Sequence, residues 1–177
     1  MACVCRDAPL AFTDKGVTVH YYDYYRSPRG RMLLVADDTA LTGAYFTGQK
    51  YHPRIEEGWI RNEKHVLLRQ AKRELAEYFD GARRRFTVKI APRGTAFQRA
   101  VWKAITGVAF GKTIPYAELA RRAGRPGSAR AAGGATGRNP ISIIVPCHRI
   151  VGSNGALTGY AGGLTKKRAF LALEERS

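Results

Sequence analysis

The sequence predicts an α/β (α+β) protein in two parts: an antiparallel sheet with one long helix, then a mainly helical, basic half. Three observations predict it. Runs of β-forming residues separated by turn chemistry fill residues 17–46, and a stretch of helical periodicity follows them. After residue 94 the pattern changes to short helices joined by Gly-containing turns. The charge divides at the same place. Residues 1–90 carry 16 Lys/Arg against 11 Asp/Glu, whereas residues 91–177 carry 14 against 3, within a net charge of +16.

The first run, Val17-Thr18-Val19-His20-Tyr21-Tyr22-Asp23-Tyr24-Tyr25, is rich in β-branched and aromatic residues. Ser27-Pro28-Arg29-Gly30 supplies a turn, and Met32-Leu33-Leu34-Val35-Ala36 is a second strand. Asp37-Asp38 turns the chain again before a third strand over residues 41–46, so the three form a meander. Residues 49–62 are irregular, broken by Pro53 and Gly58. From residue 63 to 79, Leu68, Ala71, Leu75, Tyr78 and Phe79 recur at helical spacing, and Gly81 fits the position after the helix end. Residues 83–90 are expected as a short strand. Ala91-Pro92-Arg93-Gly94 is expected as the linker between a domain over 1–90 and one over 95–177.

No site chemistry is visible before that linker. His20, His52 and His65 are expected as surface or packing residues. The three cysteines are odd in number, and Cys3 and Cys5 are too close for a disulfide framework or a zinc knuckle. No apolar run reaches the length of a signal-peptide core or a membrane span. The expected compartment is therefore intracellular and reducing, a bacterial cytoplasm or a nucleus, with no membrane partner.

The second half opens on Thr95-x-x-Gln98, a capping box, and Phe97, Val101, Ala104 and Ile105 give the helix behind it an inward face. Residues 116–123 form a short helix with Gly124 behind it. Arg125-Pro126-Gly127 turns the chain, and Ser128 is a fitting N-cap for a helix over 129–135. Helix, tight turn, helix in a basic domain is the outline of a helix-turn-helix. The second helix is almost bare: Ala129, Ala131, Ala132, Gly133, Gly134 and Ala135 surround the single long side chain of Arg130. That composition suits either tight packing on a neighbouring helix or close approach to a nucleic-acid backbone or minor groove.

The chemistry lies in Ile143-Ile144-Val145-Pro146-Cys147-His148-Arg149-Ile150-Val151. A buried apolar run stops at a proline, and a thiol, an imidazole and a guanidinium follow. The thiolate is the nucleophilic form, and its pKa falls beside His or Arg, so Cys147 is expected to be an activated nucleophile. His148 is its expected base, without direct contact between these neighbours. Ile150 to Leu157 is expected as a small hairpin with Asn154-Gly155 at its turn. Residues 159–163 form a loop placed to wall a pocket, and residues 166–174 a closing helix.

Pro146-Cys147-His148-Arg149 behind its apolar run resembles the signature of the methylated-DNA–protein-cysteine methyltransferases, which reverse O6-alkylguanine lesions directly. The resemblance extends to Gly94-Thr95-Ala96-Phe97-Gln98-Arg99-Ala100-Val101-Trp102, Ile114-Pro115-Tyr116-Ala117-Glu118-Leu119-Ala120, Ala129-Arg130-Ala131, Gly133-Gly134-Ala135, Asn139-Pro140, Thr158-Gly159-Tyr160-Ala161-Gly162-Gly163 and Glu174. It covers about residues 92–175 in order and at family-like spacing. It implies an RNase-H-like first half and a winged helix-turn-helix second half. The implied activity is a single, irreversible transfer of a methyl or larger alkyl group to Cys147. The group comes from O6-alkylguanine, or from O4-alkylthymine, on a base flipped out of double-stranded DNA.

By that resemblance a water, His148 and Glu174 relay the thiol proton, and Asn139 braces the backbone around Cys147. Tyr116 drives nucleotide rotation and protonates the departing base. The bare helix enters the minor groove with Arg130 filling the gap, and Ser128, Ala129, Ala131, Gly133 and Arg138 contact DNA. The backbone of Cys147, Ile150 and Ala161 reads guanine edges, with Pro140, Tyr160 and Lys167 around the pocket. Position 161 is Ala where some relatives have Ser. A thioether product leaves no route back, and no metal or organic cofactor is required. Some relatives hold zinc in the first half, for which Cys3, Cys5, His20 and His52 would be the ligands. The expected state is a monomer, with cooperative binding along DNA left open.

Three other readings compete. A Cys-His hydrolase leaves the basic helix-turn-helix unexplained and has no oxyanion site. A non-catalytic sensor of alkyl lesions belongs to a related group in which the cysteine is lost, and Cys147 is present here. A repair domain that doubles as a transcriptional regulator would carry a further DNA-binding module, for which 177 residues leave no room.

Overall fold

The computed structural model describes residues 18–176. Strands β1 (Tyr21–Ser27), β2 (Gly30–Ala36) and β3 (Leu41–Phe46) form the expected antiparallel meander. At the first turn Ser27 Oγ donates to Gly30 O at 2.7 Å, and Gly30 takes φ 122°, open to a residue without Cβ. At the second, the Asp37 carboxylate accepts the N–H groups of Thr39 and Ala40, each at 2.9 Å. Residues 32–36 of β2 are all buried, because helix α1 (Val66–Phe79) covers one face of the sheet and the second half packs beyond it. Gly81, at φ 76°, follows the C-cap Asp80 as its sequence position suggests.

Two expectations in this half are corrected. Within the stretch read as irregular, β4 (Ile60–Arg61) pairs parallel to β1, giving the sheet order β3-β2-β1-β4. Two residues are too few to show an alternating pattern. Residues 83–90 form no strand, only a bridge from Ile90 to Leu41. The reason is Glu74 on α1, whose carboxylate takes the N–H groups of Thr87 at 2.8 Å and Val88 at 3.1 Å, donors that a ladder would have needed.

In the second half, α2 (Ala96–Thr106) begins with the expected capping box: Gln98 N donates to Thr95 Oγ1 at 3.2 Å and Thr95 N to Gln98 Oε1 at 2.9 Å. Strand β5 (Ile114–Pro115) leads into α3 (Tyr116–Arg122), and α4 (Ala129–Gly137) follows the tight turn. A 3₁₀ turn over Cys147–Arg149 precedes β6 (Ile150–Val151), and α5 (Leu164–Arg176) closes the chain. The expected wing hairpin is absent. Gly152 N bonds Ala156 O at 2.9 Å around the Asn154-Gly155 turn, but β6 pairs parallel with β5 instead of folding back. Ser128 occupies the N-cap position of α4 without a capping bond, since φ −95° and ψ 36° put it outside the extended region from which a cap side chain reaches back.

One hydrophobic core spans both halves. Phe46 of β3 stacks on Phe170 of α5 at 5.9 Å. The outer edge of β3 is used twice. Leu41 exchanges bonds with Lys89 O (2.8 Å) and Ala91 N (2.9 Å), and Ala44 with Pro140 O (2.8 Å) and Ser142 N (2.8 Å). A sheet edge that would otherwise be open therefore grips the chain just before Cys147.

Candidate active site

The apolar run before Cys147 is buried, yet it is folded tightly. Ile143 adopts φ 73°, a strained conformation for a β-branched residue. Ile144 N reaches back to Ser142 O at 2.9 Å and Cys147 N to Val145 O at 2.8 Å. The fold pays for that strain with the bonds on either side: Ala44 holds residues 140 and 142, and Asn139 holds the rest. Asn139 Oδ1 accepts from Ile141 N at 3.0 Å, while Nδ2 lies 2.8 Å from Val145 O and 3.1 Å from Cys147 Sγ. Asn139 thus ties together the backbone before Cys147 and also touches the thiol.

Cys147 is 4% exposed at the start of the 3₁₀ turn. Burial pushes its thiol pKa up to about 11, against the hydrogen bond from Asn139, the nearby charge of Lys167 and its neighbouring backbone N–H groups. This corrects the expectation of a thiol activated by adjacent cations. Arg149 turns away from the sulfur: its Nε and Nη2 donate to Glu174 at 2.9 Å each, and Nη1 to Val108 O at 2.6 Å. At neutral pH the resting group is a thiol, and it needs a base.

His148 is fully buried, with Nε2 2.8 Å from Glu174 Oε1. Burial lowers its pKa although Glu174 pulls the other way, so the ring is neutral. Burial raises the Glu174 carboxyl, but the bonds from His148 and Arg149 outweigh it and bring the pKa to about 2. A neutral ring beside a carboxylate carries its proton on Nε2. That leaves Nδ1 as a lone-pair acceptor, buried and without a partner among the described residues. Tyr78 OH also donates to Glu174 Oε1 at 2.9 Å, and Gly111 N to Oε2 at 3.0 Å.

The loop beyond β6 closes the other side. Lys167, fully buried on α5, donates to Ile150 O at 2.5 Å and Thr158 O at 2.7 Å. Burial brings its pKa down to about 8. Tyr116 OH donates to Thr158 O at 3.1 Å, and burial raises its pKa, so it stays protonated. The Tyr160 ring meets Phe170 edge-on at 6.1 Å, and Ala161 O accepts from Lys50 N at 3.2 Å. Pro140, buried, serves the grip of β3 through its carbonyl.

Helix α4 has two faces. Ala132, Ala135 and Thr136 are buried, and Ala135 O accepts from Trp102 Nε1 of α2 at 2.9 Å. Arg130, Ala131, Gly134 and Arg138 are exposed, while Ser128, Ala129 and Gly133 are half-buried. Gly133 faces Tyr116, where a Cβ would lie 3.6 Å from the ring. The Arg138 guanidinium stacks on Tyr51 at 5.0 Å. Of the two options left open by composition, packing is seen on one face, and the other face is bare and exposed with Arg130 and Arg138.

Sequence reasoning missed Tyr78, placed only on the inward face of its helix, and Gly111, which it did not single out. Neither carries a local signal, because each meets Glu174 across a long separation in the chain. Among the other expected residues, His20 packs on Trp59 (5.2 Å), and His52 Nδ1 lies 2.7 Å from Pro53 O. Cys3 and Cys5 lie outside the described residues.

Residues 20–92 match the 6-O-methylguanine DNA methyltransferase ribonuclease-like domain, and residues 96–176 match the DNA binding domain of the same family. A methylated-DNA–protein-cysteine methyltransferase of Methanosarcina acetivorans is 45% identical over 87% of this chain and 97% of its own length. The Haemophilus influenzae protein of that name is 41% identical over 90% and 88%. The crystal structure of Mycobacterium tuberculosis OGT in complex with DNA superposes with a TM-score of 0.82 at 40% identity, covering 88% of this chain and 93% of that one.

Proposed function

The chain belongs to the 6-O-methylguanine DNA methyltransferase family, an enzyme family of DNA alkyl repair, and from that membership we propose that Cys147 takes the alkyl group from O6-alkylguanine, once per molecule. The observation that supports this best is the buried set Asn139, Cys147, His148, Glu174, in which the imidazole Nδ1, on the residue after a thiol that is not ionised by itself, is left as an unused acceptor.

The steps follow from these groups. The exposed face of α4, with Arg130 and Arg138, lies on the DNA, and Arg130 fills the space that the flipped nucleotide leaves. The base enters beside Tyr160 and the loop held by Lys167. The Sγ–H proton passes through a water to His148 Nδ1, and Glu174 holds the imidazolium that forms. The thiolate attacks the alkyl carbon, an S–C bond forms, and the C–O6 bond breaks. The guanine anion that leaves takes a proton from Tyr116 OH, whose ring faces Gly133 of α4 and whose hydroxyl faces Gly159 of the loop, and the proton held on His148 returns through solvent to the phenolate. The thioether is not hydrolysed, so the molecule is consumed.

Intact mass after incubation with an oligonucleotide containing O6-methylguanine tests this. One CH₂ unit should be added per chain, at Cys147, with none in Cys147→Ser. Binding without mass gain would leave a lesion sensor in its place.

A further inference from the structure

Three consecutive residues of the first half touch three separate parts of the catalytic half. The Gln49 side chain, buried, accepts from Phe46 N at 2.8 Å and from Ser142 Oγ at 3.3 Å, on the loop that carries the nucleophile. Lys50 N donates to Ala161 O at 3.2 Å, on the loop beside the thiol. The Tyr51 ring lies under the Arg138 guanidinium of α4. His52 N bonds Gln49 O at 3.2 Å, so residues 49–52 form a β-turn, with Tyr51 at its third position and φ 64°. That is type II geometry, which favours glycine at the third position. A tyrosine that is 47% exposed holds the strained position all the same.

The loop over 158–163 has two kinds of anchor. Within the catalytic half, Lys167 and Tyr116 hold Thr158 O. From the first half, Lys50 N–H holds Ala161 O. Gly159 and Gly163, at φ 45° and 89°, flank the second anchor, and Gly163 N closes the segment on Tyr160 O at 3.0 Å. Tyr160 lies in that segment, so the distance between its ring and Cys147 depends on where Ala161 is tethered.

We propose that the Gln49–His52 turn is a specificity-determining strap: the backbone N–H of Lys50 pins the loop at Ala161 and so limits the size of alkyl group that fits beside Cys147. This rests on the alkyl-transfer function proposed above. Lys50 is a positioning residue, since it acts on the loop and touches no reacting atom.

Turn geometry supplies a selective test. The second position of a type II turn accepts proline, so Lys50→Pro keeps the turn and deletes the donor. Lys50→Ala keeps the donor and deletes the charge. The readout is the ratio of transfer rates from O6-benzylguanine and O6-methylguanine in the same duplex, which cancels DNA binding. Lys50→Pro should raise the benzyl-to-methyl ratio about 3- to 10-fold, the effect of one hydrogen bond, and Lys50→Ala should leave it where it is. An unchanged ratio in Lys50→Pro, or an equal change in Lys50→Ala, overturns the strap. Should Lys50→Pro fail to fold, amide exchange on the unaltered protein decides. The Lys50 amide should be protected about 100-fold, and an unprotected one rules the tether out. Absence of alkylation at Cys147 in the unaltered protein would instead overturn the underlying function, so the two failures are distinct.

Discussion

Glu174, 4% exposed, accepts hydrogen bonds from His148, Tyr78, Gly111 and, twice, Arg149. Its folded pKa of about 2 lies below the ordinary 4.5. A depressed carboxyl stabilises the fold above its unfolded pKa, and that contribution is lost as pH falls from about 4.5 towards 2. Acid unfolding should therefore set in across that window. Glu174→Gln leaves the Arg149 guanidinium buried without its counter-charge, which costs about 3–5 kcal/mol. A thermal melt at pH 7 should show a large drop, and the variant's melting temperature should change less than that of the unaltered protein between pH 5 and 3. Equal acid slopes would remove Glu174 from this account. The rate of transfer gives a second check at the same residues. His148 accepts a proton only when neutral, and burial lowers its pKa from the ordinary 6.5, so the rate should still hold at pH 6.5 and fall only at lower pH.

At the scale of the elements, what the sequence disclosed was what neighbours in the chain decide. The capping box of α2, the period of α1 with Gly81 behind it, and the meander of β1 to β3 are local patterns, and each formed. Where the deciding partner was distant the pattern misled. Thr87 and Val88 went to Glu74 instead of a strand, and β6 went to β5 instead of the hairpin that Asn154-Gly155 advertised. The bare helix α4 separates folding from function cleanly. Gly134 is exposed, and a Cβ there would meet only the flexible end of Arg138, 3.7 Å away. Gly134→Ala should then stabilise the protein by up to about 1 kcal/mol through helix propensity. The same methyl group stands on the face proposed for DNA, so transfer from duplex should slow while reaction with free alkylguanine is unchanged. Arg130→Ala should show the same split without the gain in stability. Equal losses on duplex and free base would sink the minor-groove role of the helix.

Across the whole molecule, the proposed nucleophile Cys147 and the residues grouped with it, His148, Asn139 and Glu174, belong to motifs, and the resemblance named them together. The support from the first half was not legible. No pattern within residues 41–51 says that Ala44 will hold residues 140 and 142, that Gln49 will reach Ser142, or that Phe46 will stack on Phe170. Such pairings join residues 93 or more positions apart, and only the closed fold brings them together. One core shared by both halves implies that they unfold together. Phe46→Ala in the sheet should cost about 3–5 kcal/mol. The loss should be visible in the other half. With Trp59 replaced by Phe, the fluorescence of Trp102 on α2 reports the catalytic half alone. In that background Phe46→Ala should shift the Trp102 transition to lower denaturant, in step with far-ultraviolet dichroism. A Trp102 transition left at its original midpoint would mean that the halves fold independently, and the sheet could not then be what holds the nucleophile loop in its strained form.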